Sequence, residues 1–161
     1  MATKTSKKNQ NELEFRQQEV ATHAQRILIH LVDLNSQVKQ AHWNIEGAGF
    51  LSFHKQLDDI YSYFEEAVDE LAERIRALGE PANGAPKTIV QESELEAFPD
   101  GLVTVNHAMK LLSSRLNSVS LSIRDALGEV EELDPITHDL LIEICSEVEK
   151  FKWLIDSQVV N

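Results

Sequence analysis

The stretch Ala41–Arg74, AHWNIEGAGFLSFHKQLDDIYSYFEEAVDELAER, gathers two histidines and several carboxylates around one long helical pattern. Leu57, Tyr61, Phe64, Val68, Leu71, Ala72 and Ile75 recur there at three- and four-residue spacing, the period of an apolar helical stripe. The pattern predicts a helix from about Leu51 to Leu78, stopped by Gly79 and Pro81. His54 and Asp58 stand four apart, as do Asp69 and Glu73, so each pair projects from one side of the helix with ligand atoms able to converge. Asp58 and Asp69 are eleven residues apart, close to three turns, which aligns both pairs along nearly the same side.

The same spacing forbids a single-chain site using all four side chains. His54 and Asp69 are fifteen residues apart, roughly 22 Å along a continuous helix. Two copies of this helix packed antiparallel about a two-fold axis near Tyr63 and Phe64 would bring His54 and Asp58 of one subunit to Asp69 and Glu73 of the other, making two equivalent sites. His42, at the end of the preceding helix, is the candidate fifth ligand. Imidazole and carboxylate ligands without thiolate suit iron, manganese or zinc better than copper(I). The competing reading is a solvated acidic helix with incidental histidines.

Working outward, the pattern repeats three more times. From about Glu12 to Gln40, Val20, Ala24, Ile27, Leu28, Leu31, Leu34 and Val38 form one stripe, broken by Asn44, Gly47 and Gly49. A third helix is expected from near Pro99 to Gly128 through Leu102, Val105, Met109, Leu112, Leu116, Val119, Ile123 and Leu127. The fourth starts at Asp134 as N-cap with Pro135 in the first turn, and carries Ile136, Leu140, Leu141, Ile144, Val148, Phe151, Leu154 and Ile155. Glu80–Phe98, with Pro81, Asn83, Gly84 and Pro86, is long enough to cross one end of a bundle, with a short helix at Ser93–Ala97. Nothing reads as strand. Four helices with the longest linker between the second and third predict an all-α, ferritin-like four-helix bundle. The folded domain spans 12–158, between a flexible polar tail at 1–11 and a short end at 159–161.

A chain of 161 residues with 42% hydrophobic content fits one core. Its 27 acidic residues against 15 basic ones give a net charge of -12, which disfavours a generally basic nucleic-acid surface and favours cations as partners. Cys145, the single cysteine, lies among Leu140, Leu141, Ile144 and Val148 and reads as a core thiol. The N-terminal MATKTSKKNQNE has no apolar core, and no apolar run reaches membrane-spanning length, so the expectation is a cytoplasmic protein with no membrane partner.

AHWN, a glycine-containing turn, F-x-x-x-H-x-x-x-D and D-E-x-A-E-R together resemble the signature of the Dps family, the DNA-binding proteins from starved cells, and the helix layout agrees across nearly the whole folded chain. The resemblance implies that His42, His54 and Asp58 are metal ligands from one subunit and that Asp69 and Glu73 come from its two-fold partner. It also implies a dodecameric mini-ferritin shell, a ferroxidase reaction on paired Fe(II) with hydrogen peroxide as oxidant, and ferric mineral stored inside, protecting against oxidative stress. Zinc or manganese is the competing occupant. By the same resemblance Trp43 is a candidate electron donor that quenches stray oxidant, or an amphipathic ring at a subunit contact. Lys39 either orients water near the second iron or faces solvent.

Other signals are weaker. No E-x-x-H pair exists to build a diiron centre inside one bundle, and no phosphate loop, Cys-pair zinc signature or nucleophile elbow is present. His23, His30, His107 and His138 read as exposed or hydrogen-bonded structural histidines, His30 being the one the sequence constrains least. Glu129, Glu131, Glu132, Asp134 and Asp139 fit either a three-fold pore that admits iron or an acidic interhelical loop. Lys4, Lys7 and Lys8, multiplied over a shell, offer a salt-sensitive grip on DNA and nucleoid association. The alternative function is therefore a structural, DNA-compacting shell with little ferroxidase turnover.

Overall fold

The computed structural model describes the backbone over residues 2–159 and the side chains over 12–159; the side chains of the tail expected over 1–11, Lys4, Lys7 and Lys8 among them, lie outside the described residues. Four long helices form the bundle: α1 (Ala2–Asn44), α2 (Phe50–Ala77), α4 (Val105–Val130) and α5 (Pro135–Asp156). Helix α1 packs against α2 and α4, and α4 packs against α5. The stripes read from the sequence are the faces that meet: Val20, Ala24, Ile27, Leu31, Leu34, Leu57, Phe64, Leu71, Ile75, Val119, Ile123, Leu141 and Val148 are all fully buried. Each large aliphatic or aromatic side chain so buried contributes about 1.5–3 kcal/mol. Cys145 lies in this core, where burial, helped by the charge of Glu149 and opposed by a weaker effect of the Ser120 hydrogen bond, raises its thiol pKa.

The long connection falls between α2 and α4, as the bundle topology requires, but its details differ from expectation. The short helix is α3 (Pro86–Glu92), starting at Pro86, whose ring suits a first helical turn; Ser93–Ala97 is irregular chain with a bend at Leu95. Ser93 and the residues after it are held instead by side chains. Ser93 Oγ donates to Asp33, and buried Arg115 donates to the carbonyls of Glu96 and Ala97. Helix α4 begins at Val105 and not near Pro99, leaving Leu102 exposed, and it runs through Gly128 to Val130.

A second difference is a pair of two-residue strands where none is expected. β1 (Ile45–Glu46) pairs in parallel with β2 (Val103–Thr104), with Ile45 opposite Val103 and Glu46 opposite Thr104. Two residues are too few for an alternating pattern to be legible. The pairing joins the end of α1 to the start of α4 and buries Ile45 and Val103.

At the other end of α2, Arg74 Nη2 donates to Asp134 Oδ2 at 2.5 Å, and Arg74 Nε donates to Thr137 Oγ1 at 3.0 Å. Asp134 takes the N-terminal position of α5 with extended backbone and Pro135 follows it, as expected. Its carboxylate is committed to Arg74 and to the Thr137 hydroxyl, so it clasps α5 to α2 and is not free to line a pore.

Candidate metal centre

The site forms where the chain turns between α1 and α2. Gly47 and Gly49 adopt φ of 96° and 81°, a left-handed backbone that other residues adopt only with strain, and Phe50 N–H closes the turn on the Gly47 carbonyl at 3.1 Å. The reversal lays the first turn of α2 beside the last turn of α1. His42 and His54 consequently stack, with ring centroids 3.7 Å apart and planes inclined by 26°. Phe50 tilts against His54 with centroids 5.1 Å apart, screening the second ring.

Asp58, one turn beyond His54, completes a set of three. His42, His54 and Asp58 each present a ligand atom within 4.8 Å of the other two, the one such group of three or more among the described residues. His42 Nε2 lies 2.9 Å from Asp58 Oδ1, yet off the direction of an aligned hydrogen bond, and neither buried ring nitrogen of His42 has a hydrogen-bond partner. A buried imidazole without partners beside a carboxylate is a donor set that fits a metal ion. The Asp58 carboxyl is held below its usual range, first by His42 and, against a smaller effect of burial, by Lys39. Asp58 is therefore the anionic, ligating form at neutral pH.

Two features of this site were not legible from motif spacing. His54 Nδ1 lies 3.0 Å from the His42 carbonyl, so one ligand's backbone orients the other ligand's ring. Lys39 Nζ sits 3.3 Å from Asp58 Oδ1 and 4.6 Å from the Tyr61 ring centroid, which places it beside the carboxylate instead of out in solvent. Its position one turn before His42 was the signal; its partner depended on how α1 crosses α2.

Asp69 and Glu73 do not join the three. Both are exposed farther along α2, and Glu73 lines a shallow groove with Glu70, Asp139 and Glu143. Tyr63 and Phe64 are not available as the centre of a helix pair. Phe64 is fully buried, and Tyr63 packs on Phe64 and Phe151 with centroids 5.6 and 5.5 Å apart. The side of α2 that carries Asp58 and Asp69 presents Ser62 and Glu65 at that level, both exposed. Trp43 is 66% exposed at the end of α1, lining an open groove with Lys39, Tyr61 and Val68.

Residues 21–161 match the ferritin-like domain of the Ferritin family. The chain is 31% identical over 137 residues to the DNA protection during starvation protein of Mycolicibacterium smegmatis, covering 85% of this chain and 75% of that one. This chain belongs to the Dps family.

Other comparisons agree. The Dps-family chain is 33% identical over 137 residues to DNA protection during starvation protein 2 of Deinococcus radiodurans, covering 85% of its own length but 57% of that relative, so it spans little more than half of it. Its fold superposes on the tetragonal form of Mycobacterium smegmatis Dps with a TM-score of 0.88 at 29% identity, covering 92% and 90% of the two chains. It superposes on Dps92 from Deinococcus radiodurans with a TM-score of 0.86 at 30% identity, covering 88% and 86%. The Dps-family chain thus joins a family known for iron storage and DNA protection. Among its described residues no helix is long and apolar enough to cross a membrane.

Proposed function

We propose that the protein is an iron-storing ferroxidase that oxidises Fe(II) with hydrogen peroxide at sites shared between two subunits and deposits ferric mineral inside a hollow dodecameric shell. The observation that carries this reading is the convergence of His42, His54 and Asp58, with both buried ring nitrogens of His42 unpartnered. Asp69 and Glu73 of the partner subunit complete each site: they occupy the same side of α2 as Asp58, about three turns away, and are exposed.

Fe(II) is the substrate. Two Fe(II) ions give one electron each, and the peroxide with two protons leaves as two waters, so no hydroxyl radical is released. His42, His54 and Asp58 bind and orient one ion, while the partner's carboxylates offset the charge that grows as iron is oxidised. Zinc and manganese suit the same donor types and act as competitors. In this reading Trp43, exposed beside His42, meets a neighbouring subunit and reduces a stray oxidant; its exposure is what supports both roles.

The names of the relatives favour a second role, DNA binding and protection. The net charge of -12 leaves Lys4, Lys7 and Lys8 as the basic group that would carry it. The deciding experiment mixes metal-free protein anaerobically with Fe(II), adds hydrogen peroxide, and follows ferric absorbance together with particle size. Fast oxidation with iron retained in a large particle supports the ferroxidase; a rate equal to the protein-free control in an intact particle favours the DNA-compacting shell.

A further inference from the structure

The crossover opens with PANGAP over residues 81–86, and Asn83–Gly84 is the one Asn-Gly pair in the sequence. Both residues are exposed to water. Gln25, on α1, holds the Asn83 main chain from two sides: its Nε2 donates to the Asn83 carbonyl at 2.8 Å, and its Oε1 accepts from the Asn83 amide at 2.9 Å. The Asn83 side chain folds back on the chain that follows it. Its Oδ1 accepts from the Ala85 main-chain amide at 3.1 Å and from the Thr88 hydroxyl, on α3, at 3.2 Å.

An asparagine oxygen that accepts from the amide two residues on carries its Cγ back over the intervening peptide link, here that of Gly84. The Gly84 nitrogen and Asn83 Cγ are then the two ends of a five-membered ring, and reacting atoms held together within one chain close far faster than separate molecules. Gly84 has no Cβ to crowd the approach. The Ala85 and Thr88 donors sit on the oxygen that gains negative charge when Cγ is attacked, the arrangement that stabilises an oxyanion.

We propose that Asn83–Gly84 is a self-modification site, at which the fold promotes deamidation through a cyclic imide. The Gly84 nitrogen bonds to Asn83 Cγ and gives up its proton, the Cγ–Nδ2 bond breaks, and Nδ2 leaves as ammonia with that proton. Water then opens the ring at either carbonyl and leaves aspartate or isoaspartate at position 83. One water is consumed, one ammonia is released and one negative charge is added, with no oxidant or reductant involved. Isoaspartate routes the main chain through Cγ. The carbonyl that Gln25 holds becomes a free carboxylate, and the oxygen that Ala85 and Thr88 hold becomes a main-chain oxygen. The joint between α1 and the crossover therefore loosens as the protein ages.

The test incubates the full chain for weeks in mildly alkaline buffer, either folded or held unfolded in guanidinium chloride. Mass spectrometry follows deamidation of the peptide containing Asn83, and enzymatic methylation follows its isoaspartate. Asn117–Ser118, exposed but fixed in the helical backbone of α4, is the internal reference. The expected result is that Asn83 deamidates in the folded protein at least as fast as in denaturant, while Asn117 stays intact. Gly84→Ala suppresses the reaction. Gly84 does not have a positive φ and an added Cβ would meet Val32 Cγ2 at an ordinary 3.8 Å, so this variant keeps the fold. Thr88→Val removes one donor from Oδ1 and slows the folded-state reaction at least about tenfold, with the rate in denaturant unchanged. Limited proteolysis cuts the crossover of aged wild type faster than that of aged Gly84→Ala. A folded-state rate far below the rate in denaturant, or a Thr88→Val rate equal to wild type, overturns the proposal.

Discussion

His54 Nδ1 lies 3.0 Å from the main-chain oxygen of His42, twelve residues earlier in the chain. A carbonyl only accepts, so Nδ1 carries the proton and His54 Nε2 keeps its lone pair for a metal. The expected outcome for His54→Ala is loss of fast peroxide-driven Fe(II) oxidation with particle size unchanged, read by stopped-flow absorbance and light scattering. Retention of the wild-type rate would remove His54 from the site.

Asp58→Asn and Glu73→Gln test the two halves separately. Both side chains are on the exposed side of α2, so neither substitution disturbs the core. Each is expected to reduce the initial oxidation rate at least about tenfold while the assembly survives, because a carboxylate ligand offsets the charge gained on oxidation.

Shared ligation makes a stricter demand on mixed particles. Subunits altered at His54 and subunits altered at Asp69 are each inactive alone, but co-assembled they re-form some sites with all ligands intact. Recovery of oxidation in particles verified by mass spectrometry as mixed is the expected outcome; none at all would show that each site belongs to one subunit.

Asp134 is committed to Arg74 and Thr137, with side-chain exposures of 16% for Asp134 and 19% for Arg74. Burial pushes its pKa up, but hydrogen bonds from Thr137 and Arg74 outweigh it and the net direction is down. Asp134→Ala leaves the largely buried guanidinium with only the Thr137 hydroxyl as a partner, a loss of about 1–3 kcal/mol. Urea unfolding should show that loss, and the rate of iron uptake at a temperature where the variant is folded should be unchanged. Slower uptake with unaltered stability would restore the pore reading.

Glu149 accepts from Arg124 at 2.7 and 2.9 Å and from Ser120 at 2.7 Å, and these bonds lower its pKa to about 2. The folded pKa lies below the ordinary carboxylate value, so the stabilisation is present at neutral pH and is lost as pH falls from about 5 through 2. Glu149 is 39% exposed, which screens the pair and holds its contribution to about 1 kcal/mol. Melting curves between pH 7 and pH 3 should therefore fall less steeply for Glu149→Gln than for the wild type.

The four long helices, their core faces and the single long crossover were legible because each helix repeats its apolar residues at its own period over many turns. Local exceptions mark where that signal ends. Leu102 and Ile136 fit the stripes by spacing yet are 70% and 64% exposed, since each lies near or beyond a helix start, where the chain leaves the packed layer. The short helix formed at Pro86–Glu92 and not Ser93–Ala97, because Asp33 and Arg115, on other helices, hold the Ser93 hydroxyl and the Glu96 and Ala97 carbonyls of the later segment.

The sequence by itself determined which residues can ligate metal and that His54 and Asp69 are too far apart to share one ion within a chain, because helical rise and period follow from the backbone alone. Only the tertiary structure decided that His42 stacks on His54, that Lys39 rests beside Asp58, that Asp134 is taken up by Arg74 and that His30 is buried without a hydrogen-bond partner. Those contacts depend on how the turn at Gly47 and Gly49 and the crossover set one helix against another, an arrangement fixed by packing between residues far apart in the chain.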